Sequence, residues 1–175
     1  MNILDKILNH KNTEIKKIPE KNFVSSSFKR LSLKKALKGG KISIIAEIKF
    51  ASPSEGIILK KGEHIQIAKD YENAGAAAIS VLTDRQFFNG DIRFLRDIKN
   101  AVNIPVMQKD FIINKKQIFQ GMSHGSDAFL LITEALNYSD LIDFYNLGLN
   151  ENLESLVEIH DRENLSTVNE LNPTI

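Results

Sequence analysis

The chain has 175 residues, 42% hydrophobic and 26% charged, enough for one globular core and short for two. Its formal charge of +1, with both signs interspersed, excludes the broad basic footprint of a nucleic-acid or acidic-membrane binder. With no cysteine there is neither a disulfide framework nor a thiolate zinc site. The four histidines, His10, His64, His124 and His160, show no metal-ligand spacing, so metal binding through histidines and carboxylates is left open but unsupported. No apolar run approaches the roughly 20 residues of a membrane span, and Met1 to Asp5 lacks the basic-then-apolar plan of a secretory signal. A cytoplasmic protein with no membrane or nucleic-acid partner is expected.

Along the chain, Ile3, Leu4, Ile7 and Leu8 have the spacing of a short amphipathic helix. Phe28, Leu31, Leu33, Ala36 and Leu37 suggest a second, ended by Gly39-Gly40. Residues 1–41 thus read as a helical extension, able to cover the lower end of a barrel or part of its mouth. From residue 42 onward, β-like runs alternate with amphipathic helical patterns, the signature of βα units and a parallel sheet. The strands are predicted at Ile42–Lys49, Ala77–Thr83, Pro105–Phe111, Ala128–Thr133 and Leu153–His160. Between them, helices are predicted at His64–Ala74, from an Asp91 cap through Val102, at Lys115–Ser123 and at Ser139–Tyr145. Asp161 suits the cap of a further helix burying Leu165, Val168 and Leu171, and Asn172 to Ile175 read as a turn entering a sixth strand. The lysine pairs Lys34-Lys35 and Lys60-Lys61 read as solvated faces.

Charged residues end three of these strands: Glu47 and Lys49 the first, Lys109 the third, Glu158 the fifth. Alternation puts Glu47 and Lys49 on one face, Met107, Lys109 and Phe111 on another, and Leu156, Glu158 and His160 on a third. Charges on a strand buried on both faces are costly unless paired or facing a polar cavity. If the faces converge, two ammonium groups and two carboxylates meet at the C-terminal ends of parallel strands, where α/β folds place their sites. A set of structural salt bridges inside a barrel fits the same spacing.

Four blocks in order, Ile45-Ala-Glu-Ile-Lys-Phe-Ala-Ser-Pro-Ser54, Leu82-Thr-Asp84 with Phe87-Phe-Asn-Gly90, Lys109-Asp-Phe-Ile112 and Leu156-Val-Glu-Ile-His-Asp161, resemble the indole-3-glycerol phosphate synthase family of tryptophan biosynthesis. The resemblance implies an α/β, (β/α)8 TIM barrel present through about the fifth βα unit, with extra N-terminal helices. It also implies the family's substrate, the small phosphorylated 1-(2-carboxyphenylamino)-1-deoxyribulose 5-phosphate, and its conversion to indole-3-glycerol phosphate with loss of carbon dioxide and water, with no metal or redox cofactor. By resemblance Lys109 is the general acid of ring closure and Glu158 the general base of dehydration. Lys49 holds the substrate carboxylate or serves as the later acid, and Glu47 orients a lysine. Ser52 and Ser54 look like the substrate-contacting loop, although an ST-turn fits the tripeptide equally. Phe88 and Phe111 match positions lining the anthranilate pocket. His160 reads as a surface or capping residue.

The family pattern continues beyond Ile175 with three more units, so the sequence is expected to be about two-thirds of a barrel, without the phosphate site that follows strands seven and eight. Gln108 stands where a basic residue is frequent, which is expected to weaken a charge network, and Gly148 to Leu153 reads as a loop insertion. Five parallel strands leave open edges, so an inactive truncated fragment, or a half-barrel that captures a partner or self-associates, is the alternative to catalysis.

Overall fold

In a computed structural model, residues 2–20, 28–40, 42–60 and 62–175 are described; Lys61, part of a predicted solvated pair, lies outside them. The first helix, α1 (Ile3–Glu14), starts in a capping box in which Asn2 and Asp5 exchange side-chain and backbone hydrogen bonds. The second, α2, covers only Leu33–Leu37, with the Ser32 hydroxyl accepting from Lys35 N at 3.1 Å. Then come β1 (Ile45–Ile48), a two-residue hairpin of β2 (Ala51–Ser52) and β3 (Gly56–Ile57), α3 (His64–Asn73) and β4 (Ala78–Leu82). The chain continues through α4 (Arg85–Phe88), α5 (Arg93–Lys99), β5 (Val106–Lys109), α6 (Lys115–Ser123) and β6 (Ala128–Ile132). It ends with α7 (Tyr138–Asn150), β7 (Glu154–Glu158) and α8 (Leu165–Leu171).

Five strands form one wholly parallel sheet in the order β1-β4-β5-β6-β7. Each strand pairs with the next large strand in sequence, as expected of successive βα units and of part of a TIM barrel. One face of the sheet packs against helices in two clusters. Ile48, Ile79, Val81 and Val106 meet Ala68 of α3 and Leu95 and Ile98 of α5, while Phe129 and Leu131 meet Ile118 of α6 and Leu141, Phe144 and Tyr145 of α7. On the other face, Ala78, Met107 and Ala128 pack around Leu33, which is completely buried, with Ile45 and Leu156 beside them.

The two N-terminal helices serve opposite ends of the strands. Near α2, Ser32 Oγ donates to Glu154 Oε1 at 2.6 Å, and the amides of Lys34 and Leu31 donate to Glu154 and Asp127, each at 2.8 Å. Those acceptors stand at the beginnings of β7 and β6. Helix α1 instead lies over the strand ends, where Lys11 meets Asp84 and Asp110.

Several boundaries differ from expectation. The first strand is shorter than Ile42–Lys49 because pairing with β4 begins at Ile45, and Ile42 is 97% exposed. The helix predicted to end at Tyr145 runs to Asn150, so Gly148 is helical and the expected insertion shrinks to a turn in which Asn152 takes a φ of 53°. A Cβ on Gly148 would lie 2.7 Å from the Leu153 carbonyl oxygen, so the missing side chain permits this close return to the sheet. The buried face predicted for α8 is incomplete: Leu171 packs against the α7 cluster, but Leu165 is 47% exposed. Helix α4 and the β2–β3 hairpin were too short to leave a periodic signal.

Candidate active site

Glu47, Lys49, Lys109 and Glu158 line one cavity of about 400 Å³ at the C-terminal ends of the strands. Alternation puts them on one face of the staggered sheet. From Ile45, Met107 and Leu156, which lie around the buried Leu33 plug, two residues along each strand leads to Glu47, Lys109 and Glu158. Two more leads to Lys49, Phe111 and His160, which also line the cavity.

Glu47 bridges the lysines. Lys109 Nζ lies 2.8 Å from Oε2 and Lys49 Nζ 3.4 Å from Oε1, with all three side chains about one-third exposed, at 31–33%. Burial alone would raise the Glu47 carboxyl. The Lys109 hydrogen bond and the charges of both lysines outweigh it and hold the group below its ordinary value. Glu47 is therefore an ionised acceptor that fixes both ammonium groups at the cavity wall. The salt bridges anticipated as a structural reading are present, but they face open space.

Glu158 stands apart from this pair and receives His160, whose Nε2 lies 2.6 Å from Oε1. Phe88 and Phe111 form one apolar wall, with ring centroids 6.0 Å apart and planes inclined by 32°. Leu82, Leu130 and Ile132 add apolar surface from the two intervening strands. The arrangement suits a flat aromatic group presented to proton donors on one side and a carboxylate on the other.

Ser52 and Ser54 are outside the cavity lining. Ser52 Oγ lies 3.2 Å from Ser54 Oγ and accepts from Glu55 N at 3.1 Å, an ST-turn at the tip of the β2–β3 hairpin. Gln108 faces away from the site, 1% exposed and packed over Gly121 of α6, where any Cβ would collide with its amide. Its expected effect on the site's charge network therefore has no direct route.

The cavity also contains residues that the strand-end charges did not indicate: Leu4 of α1, Asp110 and Glu134. Glu134 follows β6, and the rule that flagged the other three strand ends applies to it too. Its Oε1 accepts from the amides of His160 and Asp161, both at 2.9 Å, and from Asn164 Nδ2 at 3.1 Å. Burial opposes ionisation there, but these donors prevail and hold the carboxyl at about 2.

Asp110 belongs to a second cluster. Lys11, 1% exposed, lies 2.7 Å from Asp110, 2.9 Å from Asp84 and 2.9 Å from Glu14. Burial would lower the Lys11 ammonium, yet Asp110, Asp84 and Glu14 together raise it. Burial raises Asp110 despite Lys11 and the Thr83 hydroxyl, which donates at 2.6 Å. Asp84 also caps α4, accepting from Phe87 N at 2.7 Å, so it sets the turn that carries Phe88.

Among the described residues, no cluster of three or more histidine or acidic side chains could hold a metal, and no helix is long and apolar enough to cross a membrane. A family model described as indole-3-glycerol phosphate synthase matches residues 4–175. Curated relatives bear the same name. The chain is 41% identical to one from Chlorobium luteolum, over 100% of this chain and 70% of the relative. It is 41% identical to one from a Thermoanaerobacter species, over 93% and 65%, and 49% identical to one from Geobacillus kaustophilus, over 73% and 49%. The matches thus span about half to 70% of these relatives' lengths.

Proposed function

Because the chain belongs to the indole-3-glycerol phosphate synthase family, we propose that its five strands carry the acid–base half of that ring-closing activity. The observation that carries this reading is the 400 Å³ cavity in which Lys109, Lys49 and Glu47 face Glu158 beside two phenylalanines. The reactant is 1-(2-carboxyphenylamino)-1-deoxyribulose 5-phosphate, with its aromatic ring against Phe88 and Phe111. The ring carbon bearing the carboxylate bonds to the carbonyl carbon, and Lys109 gives a proton to the oxygen that receives the displaced electron pair. The carbon–carboxylate bond then breaks, and its electron pair restores the aromatic ring as carbon dioxide leaves. Glu158 removes a proton while the new hydroxyl departs as water, with a proton from a lysine. Lys49 holds the carboxylate before it leaves or supplies that last proton, and Glu47 orients the lysines and stabilises positive charge on the anilino nitrogen. Ser52 and Ser54 offer hydroxyls to an anionic group once their turn opens toward the substrate. No metal or redox cofactor takes part, and the setting is the cytoplasm.

The phosphate grip of such barrels follows strands seven and eight, which are not among the five strands here. We infer that a complementary barrel segment, continuing this chain or pairing with it, supplies those contacts. The outer edges of β1 and β7 are where such a segment, or another copy of the chain, pairs. Val157 N already donates to Ile175 O at 3.2 Å along β7.

The test is to assay the 175-residue polypeptide alone and with the last three βα units of a relative supplied in trans. Indole fluorescence is easily followed because the chain contains no tryptophan. Negligible turnover alone and turnover abolished by Lys109→Ala in the complex are expected. Turnover by the chain alone that Lys109→Ala abolishes would overturn the division of labour. A folded complex without turnover would overturn the activity itself.

A further inference from the structure

We propose that His160 is a positioning residue for Glu158, held in place by Glu134, so that one carboxylate oxygen is occupied and the other is presented to substrate. This deepens the proposed role of Glu158 and rests on it for its catalytic meaning, but not for its geometry. Strand alternation puts both side chains on the cavity face, two residues apart, and His160 Nε2 reaches Glu158 Oε1 at 2.6 Å. Among the described residues, Glu158 Oε2 has no hydrogen-bond partner. An acceptor with one oxygen engaged loses rotational freedom without losing its second set of lone pairs. Productive proton transfer needs that orientation as much as it needs the right residue type.

An imidazole 67% exposed is a poor anchor unless its own backbone is held. Here the backbone is tied on both sides of Ile159. Thr133 Oγ1 donates to the Glu158 carbonyl at 3.3 Å, while Glu134 Oε1 accepts from the amides of His160 and Asp161. Glu134 thus fastens the end of β7 to the end of β6, and the imidazole reaches back to Glu158. The neutral ring must carry its proton on Nε2 to donate to Glu158. The other charged groups facing this cavity are Glu47, Lys49, Lys109, Asp110 and Glu134. The lysine pair neutralises Glu47 on the far wall, so His160 is the donor at Glu158 itself.

Nitrogen-15 NMR of the histidine rings tests the contact in the chain as it is, with His10, His64 and His124 as internal references. Glu158→Gln is expected to change the His160 ring-nitrogen shifts and tautomer balance and leave the other three unchanged. Glu134→Gln is expected to speed hydrogen exchange at the His160 and Asp161 amides. A His160 spectrum indifferent to Glu158→Gln would overturn the proposal. In the trans-complemented barrel, His160→Ala is expected to lower kcat by up to about a hundredfold with KM unchanged. His160→Gln, which retains a donor at the same reach, is expected to recover most of the loss. Equal losses in the two variants would also overturn the positioning role. If Glu158→Gln left turnover intact while shifting the His160 signals, the contact would stand and the general-base reading of Glu158 would fall.

Discussion

Lys109 and Asp110 are neighbours in sequence yet join two different ion clusters. Lys109 faces the cavity, where Glu47 and Lys49 share its environment and each side chain remains about one-third exposed. Asp110 is 7% exposed and meets Lys11 beneath α1, with Asp84 completely buried beside it. In the open cluster two ammonium groups share one carboxylate, and solvent or substrate can take over either partner. In the buried cluster one ammonium faces two buried carboxylates, Asp84 and Asp110, with the more exposed Glu14 beside them, and burial keeps water from replacing the inner pairing. The same residue types are exchangeable groups in one place and a fixed joint in the other, and burial makes the difference.

Removing one ammonium from each cluster should separate these roles. Lys109→Met is expected to cut turnover of the complemented barrel by about 10²–10⁴-fold. Its effect on the urea midpoint should correspond to no more than about 1 kcal/mol, because exposed pairs contribute little. Lys11→Met should behave in the opposite way, costing about 3–5 kcal/mol of stability in urea denaturation by stranding buried carboxylates. Adding Asp110→Asn should recover part of that loss, since it removes one uncompensated charge. A Lys11→Met protein as stable as the parent would end the distinction between the clusters.

The clusters should also respond to pH with opposite signs. Glu47 has a lowered folded value, so its contribution to stability is present above the unfolded value of about 4.3 and is lost as pH falls through the folded value. Asp110 has a raised folded value, so its contribution is present below about 3.9 and is lost as pH rises through the folded value. Urea midpoints across the pH range should show Glu47→Gln flattening the acid limb and Asp110→Asn flattening the decline on the other side. The smallest effect is expected at the hairpin. Ser52→Ala removes the turn's acceptor at a cost of about 1 kcal/mol and, if the hydroxyl meets an anionic group, raises KM without changing kcat.

The parallel sheet was legible because each strand is a short apolar run separated by helical periodicity, and the cavity was legible because period-two alternation carries Ile45 to Glu47, Met107 to Lys109 and Leu156 to Glu158 onto one face. Lys11 was not legible. On α1 it reads as one of many solvated lysines, and only the fold brings it to Asp84 and Asp110, far along the chain. Gly148 misled in another way, since its turn-like composition suggested a loop where close packing on Phe129 and Leu153 needs a helix without a side chain. The Glu134 connection to His160 spans 26 residues and depends on the parallel pairing of β6 with β7, which no local pattern encodes.

The bonds that tie α2 to the sheet bear on the timing of synthesis. Leu31 N, Ser32 Oγ and Lys34 N find their acceptors 96, 122 and 120 residues later in the chain. On a ribosome adding roughly 5–20 residues per second, the segment around Leu33 waits on the order of ten seconds before Glu154 exists to receive it. During that interval Leu33, fully buried in the finished fold, has no complete pocket. The segment around Leu33 is thus made well before the residues that secure it, and a nascent chain stalled before β7 would present that leucine to chaperones.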